Sequence, residues 1–152
     1  MKEPVVSRLL KYSLCLIFFI GAVIILTLPF ALNYYTLWLY DAYYIRPAYQ
    51  TFLLLFLSVV GALGLWIVAD LILVLNTIPK DPFVQRNVRA LKRIGIVAIA
   101  TSLLFFLKCL YYFTFLTAVC ALVLLICALI VFTVCMLFSQ AVRYKEENDL
   151  TI

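Results

Sequence analysis

The residues with chemistry to offer are one carboxylate, a run of bases and a scatter of hydroxyls. Asp70 is the single acid inside a long apolar run, and a charge at membrane depth is a candidate proton site, cation site or anchor by default. It lies about 8–10 Å from the end of its run, within reach of water or of a base in the following loop. Lys108 belongs near the opposite end of another run, so no direct Asp70–Lys108 pair is expected. Hydroxyls at Thr27, Ser58, Thr101, Ser102, Thr117 and Thr133 are scattered, and the chain has no His to activate one; without a base they are not nucleophiles. Cys15, Cys109, Cys120, Cys127 and Cys135 all lie in apolar runs with no CxxC spacing. They read as small hydrophobes rather than a redox or metal site. No buried Arg–Glu–His set is present to bind a thiol cofactor, so neither an enzyme, a cofactor nor a metal is expected.

The elements that must position these residues follow from composition. Hydrophobic residues make up 68% of the 152 and charged ones 12%, against about 25% charged in a soluble domain. A crossing helix needs roughly 20 apolar residues. Runs at about 9–32 and 49–77 supply two. The stretch 94–138 holds a single charge, Lys108, and as one helix would reach about 67 Å. It must fold back, and the cluster from Lys108 to Thr114 is where it can do so, which gives crossings at about 94–111 and 115–140. The fold class is therefore all-α, a polytopic single membrane domain spanning 1–152 with four transmembrane helices. Lys2, Arg8 and Lys11 precede the first run in the manner of a signal peptide. The run exceeds an h-region, however, and no A-x-A site follows, so it is expected to remain as a helix.

Ten of the twelve bases share one side of such a four-crossing topology: Lys2, Arg8, Lys11, Lys80, Arg86, Arg89, Lys92, Arg93, Arg143 and Lys145. Arg46 and Lys108 take the other. The positive-inside rule then places both termini in the cytoplasm. On the outer side Tyr34, Tyr35, Trp38, Tyr40, Tyr43, Tyr44, Tyr49, Tyr111 and Tyr112 suit an aromatic belt at the headgroups, or a lid over a ligand site. Asp41 and Arg46 there are able to pair with each other or with Lys108. Small residues let membrane helices approach, and Ser58, Gly61, Ala62 and Gly64, with Ala121 and Ala128, are the expected contacts of a four-helix bundle.

Two segments remain for the cytoplasmic side. In 82–94, Asp81 followed by Pro82 suits a helix start. At 100° per residue Phe83, Val84, Val88, Leu91 and Ile94 share one side, and Arg86, Arg89, Lys92 and Arg93 the other. This predicts a basic amphipathic helix between crossings two and three, leading directly into the third and held at anionic lipid by about 1 kcal/mol per base or docked on a partner. Phe83, Arg86, Asn87, Arg89, Lys92 and Arg93 are its candidate lipid- or partner-binding residues. The tail 143–152 opens basic, turns acidic and ends on Leu150 and Ile152. Glu146, Glu147 and Asp149 are its candidate contacts, with Glu146 and Glu147 placed to meet the loop arginines, and its apolar end suits packing on the loop helix or a partner.

The loop motif Pro82-Phe83, Asn87-Val88, Leu91 and Arg93-Ile94-Gly95, together with the ending Glu146-Glu147 and Asp149-Leu150-Thr151-Ile152, resembles a family of small bacterial four-helix integral membrane proteins catalogued only as a domain of unknown function. The resemblance covers nearly the whole chain. Where many members carry Gly before the Pro-Phe pair, Asp81 stands here. The resemblance implies a multi-pass protein of the bacterial plasma (inner) membrane with no established activity. Genes of the family often neighbour one for a small Cro-type helix-turn-helix regulator, which implies a membrane partner for a transcription factor rather than direct nucleic-acid binding.

The expectation is thus a non-enzymatic regulatory or interaction protein that presents the loop helix and tail to a cytoplasmic partner, as a monomer or homodimer. The rivals are a small exporter using Asp70, and a non-catalytic subunit of a membrane complex. Polar residues inside the runs are few, and no discontinuous helix of the kind that builds transport sites is evident.

Overall fold

A computed structural model describes residues 5–40, 47–77 and 83–149. It holds four helices: α1 (Val5–Tyr40), α2 (Pro47–Thr77), α3 (Gln85–Tyr111) and α4 (Phe115–Asp149). Each is long and apolar enough to cross a membrane, and together they make a multi-pass membrane protein. At 1.5 Å per residue the helices run from about 40 to about 54 Å, so all outreach a hydrocarbon core of about 30 Å.

Several boundaries differ from expectation. α1 continues past 32 to Tyr40, which leaves Pro29 inside the helix instead of near its end. A proline there removes one backbone donor, and a membrane helix tolerates this because nearby hydroxyls and neighbours satisfy the backbone. The acceptor left free by Pro29 is the Ile25 carbonyl; Thr27, two residues earlier, folds its hydroxyl back on its own helix, donating to the carbonyls of Val23 and Ile24 at 2.9 and 3.2 Å. The segment 82–94, expected as a basic helix leading into the third crossing, forms the opening of α3, which runs unbroken from Gln85 through Ile94-Gly95 to Tyr111. Val84 precedes it in an extended conformation, with no side-chain cap. Asp81 and Pro82, expected to start the helix, lie outside the described residues. α4 likewise carries much of the tail as helix, ending at Asp149.

The fold-back between α3 and α4 occupies Tyr112–Thr114, inside the stretch expected to turn. Tyr112 N–H donates to the Lys108 carbonyl at 2.8 Å, and the Thr114 carbonyl accepts from Thr117 and Ala118 as α4 begins. The buried Lys108 ammonium donates to Thr114 Oγ1 at 3.2 Å. Cys109 Sγ and Thr117 Oγ1, 3.2 Å apart, tie the same corner. Beside it Tyr112 stacks edge-on with Tyr49 at 4.5 Å, and Phe56 meets Phe105 at 5.2 Å, joining α2 to α3. Tyr34, Tyr111 and Tyr112 are exposed at this end, as an aromatic belt requires. Asp41, Tyr43, Tyr44 and Arg46, and the side chains of Tyr35, Trp38 and Tyr40, lie outside the described part.

The described parts of the four helices pack as a row in chain order, where a four-helix bundle was expected. α1 packs on α2, α2 on α3 and α3 on α4, and among the described residues α1 and α4 do not touch. Small residues set the approaches. A Cβ on Gly61 would sit 2.9 Å from Ile25 of α1, and one on Gly95 2.9 Å from the Phe132 ring of α4. Ala128 is fully enclosed and Ala121 nearly so. Two expected contacts fail: Ala62 is exposed, and nothing lies within 4 Å of a Cβ on Gly64. The row stays open because lipid is as apolar as the helix faces, so no hydrophobic force drives α1 round to α4.

Candidate basic cleft at the start of the third helix

At the end where α2 stops, α3 starts and α4 finishes, polar side chains from three helices converge. α2 brings Asp70, Leu73 and Thr77. Burying a carboxylate is costly unless a cation with good geometry compensates it, and the structure supplies that cation. Arg93 donates from Nη2 to Asp70 Oδ1 at 2.6 Å, with the Asp70 side chain 4% exposed and that of Arg93 53%. Of the bases open to it, Asp70 thus takes Arg93. Its second oxygen, Oδ2, is buried with no hydrogen-bond partner among the described residues. Lys108, as expected, is engaged elsewhere.

One turn further along, Thr77 Oγ1 donates to Asn87 Oδ1 at 2.9 Å, with the Leu73 carbonyl of its own helix 2.8 Å away as a second acceptor for the same proton. Asn87 is only 1% exposed, so it is an interior tie between α2 and α3 and not a residue offered to lipid or a partner. A signal for this was present in the sequence. Asn87 falls three residues after Val84 and four before Leu91, inside the apolar stripe, where a polar side chain needs an internal partner. Ala90, Leu91 and Ile94 are buried on that side.

The other face of the opening turns of α3 carries Arg86, Arg89, Lys92 and Arg93, all exposed. Arg86, Arg89 and Arg93 are spaced by three and four residues, so they occupy an arc of about 60°. With Leu73 they line an open cleft of about 460 Å³. Lys92, exposed on the same helix, is not part of its lining. Among the described residues Arg86 and Arg89 face no carboxylate within 4 Å, and the cleft is strongly basic.

α4 braces this region from the far side. Phe138 lies 5.8 Å from Phe83 between ring centres, Cys135 Sγ approaches the Val88 carbonyl at 3.4 Å, and Glu146 Oε1 accepts from Gln85 Nε2 at 3.5 Å. The tail acids therefore do not meet the loop arginines in the way expected: Glu146 takes Gln85, and Glu147 accepts from Arg143 one turn back at 2.9 Å. Both contacts are exposed and of the kind typically worth under about 1 kcal/mol. Asp149 ends α4, with its side chain outside the described part, as are Leu150 and Ile152. Leu73, Thr77 and Gln85 are the participants that sequence reading passed over, because each looks like an ordinary helix-end residue until the neighbouring helix is in place.

A family described as "Protein of unknown function (DUF2975)" matches residues 35–152, a narrower span than the near-complete resemblance expected, since it begins in the last turns of α1. No curated protein and no solved structure matches the chain.

Proposed function

The chain belongs to the DUF2975 family of proteins of unknown function, and from that premise we propose that it is a non-enzymatic interaction protein of the bacterial plasma membrane. It presents the basic opening of α3 and the end of α4 to an acidic cytoplasmic partner. The observation that supports this most is the rigidity of the presentation. Arg86, Arg89 and Lys92 stand exposed on a helix whose opposite side is buried, tied by Thr77 to α2 and by Phe138 to α4. Charges held in fixed register steer association and select partners; bases on a loose loop pay an ordering cost at binding. The partner class in keeping with the family resemblance is a small DNA-binding regulator, retained at the membrane through its own acidic surface.

Affinity purification of the crosslinked protein from native membranes in mild detergent tests this reading. A soluble protein retained by the parent chain, and lost when Phe83, Arg86 and Arg89 are replaced by alanine, is the expected result. Retained proteins and transcripts that do not respond to the triple replacement would end it.

A second reading, transport through a proton or cation site at Asp70, draws on the unpartnered Oδ2. The Arg93 bond weighs against it, because a carboxylate engaged at 2.6 Å must first release the guanidinium. If Asp70→Asn abolished coupled uptake in vesicles, this reading would displace the first.

A further inference from the structure

We propose that the Arg86–Arg89–Arg93 cleft is a binding site for a dianionic phosphomonoester group at the membrane surface. The docking reading does not require it, and it is tested without any protein partner. Three features of the cleft carry it.

The first is the charge. Three arginines line one open volume, and like charges that share a cleft repel unless something negative lies between them. Among the described residues the only acid bonded to any of the three is Asp70, on Arg93. Among the described residues this leaves about two uncompensated positive charges, which match the −1.5 to −2 of a phosphomonoester near neutral pH better than the single charge of a phosphodiester. The second is the geometry. Guanidinium forks donate in pairs to phosphate oxygens. Arg93 does not swing freely in the cleft, because its Nη2 is held by a carboxylate that is almost fully buried. Asp70 is thus a positioning residue that presents the remaining donors of Arg93 to the cleft, on the pattern by which outer partners orient a ligand-binding group. The third is the wall. Leu73 is partly exposed and lines the cleft beside the arginines, an apolar surface next to the charged one, at the level where α2 and α3 leave the bilayer. The volume of about 460 Å³ falls within the range of about 300–1,000 Å³ usual for small-ligand sites.

The same chemistry is offered by two sources, the headgroup of a phosphatidic-acid-type lipid and a soluble phosphomonoester. The purified full chain is reconstituted into nanodiscs of phosphatidylcholine, alone or doped with phosphatidic acid or phosphatidylglycerol. Lipid retained by the released protein is counted by native mass spectrometry, and glycerol 3-phosphate is titrated into the undoped discs by calorimetry. Arg89→Gln and Lys92→Gln remove the same charge from the same helix, one inside the cleft and one outside it, and both sites are exposed enough to leave the fold intact. The expected result is phosphatidic acid retained over phosphatidylglycerol, weakened about tenfold or more by Arg89→Gln, the loss of a charge-assisted bond, and little changed by Lys92→Gln. Glycerol 3-phosphate bound with that same variant pattern, and no lipid preference, supports the site with a soluble ligand. Equal retention of the two anionic lipids without glycerol 3-phosphate binding, or equal losses from the two variants, overturns the proposal in favour of diffuse surface electrostatics.

Discussion

Asp70 and Lys108 are both almost fully buried, near opposite ends of the helix row, and the protein compensates them differently. Asp70 sits on α2 and receives its counter-charge from a different helix, through a long side chain whose own stem is half in solvent. Lys108 sits on α3 and, among the described residues, donates to a hydroxyl six residues on, in the turn that begins α4. The first arrangement couples two helices through an ion pair whose carboxylate is desolvated, so that its disruption leaves a buried unbalanced charge. The second closes a local corner, and the aromatic contacts of Tyr112, Tyr49, Phe56 and Phe105 join α2 and α3 without it. A buried charge is therefore structural at one end and close to dispensable at the other.

This contrast is breakable by substitution. Arg93→Ala should be the most damaging change, costing about 3–5 kcal/mol because Asp70 is stranded; unfolding in mixed micelles reads the loss, and adding Asp70→Asn should recover much of it. Asn87→Ala should cost about 1–3 kcal/mol through a lost interior tie and the polar group it leaves behind, and it should loosen α2 from α3 as seen by hydrogen exchange at Thr77. Lys108→Met should fall within about 1 kcal/mol of the parent and on the stabilising side, since a packed apolar chain replaces a poorly compensated charge. A loss as large as that of Arg93→Ala would erase the distinction between the two ends. Smallest of all, Glu147→Gln should shift stability by only a few tenths of a kcal/mol, the usual worth of an exposed i,i+4 pair.

Much of the architecture was legible because it rests on length. A stretch as long as 94–138 cannot span once, and it turns at Tyr112–Thr114. The pairing of Asp70 with a base of the following segment was foreseeable from depth alone. That the base is Arg93 was not, because the choice depends on the rotation of α3 against α2. The continuity of the basic segment with the third crossing was legible in its unbroken helical periodicity, whereas its start at Gln85 was not, because Val84 carries no capping side chain to mark it. Hardest to read was the open row. Helix faces that meet lipid and faces that meet helices are both apolar, so Ala62 and Gly64 look like contact residues and are not.

The row has a consequence for assembly. Among the described residues, close backbone approaches join only helices adjacent in sequence, so none of these waits for a distant part of the chain. Each new span meets its partner as it leaves the insertion machinery, and no early segment stands idle until a late one arrives to cover it. Loop-closure entropy is correspondingly small, the condition under which chains fold fast and have least opportunity to mispair.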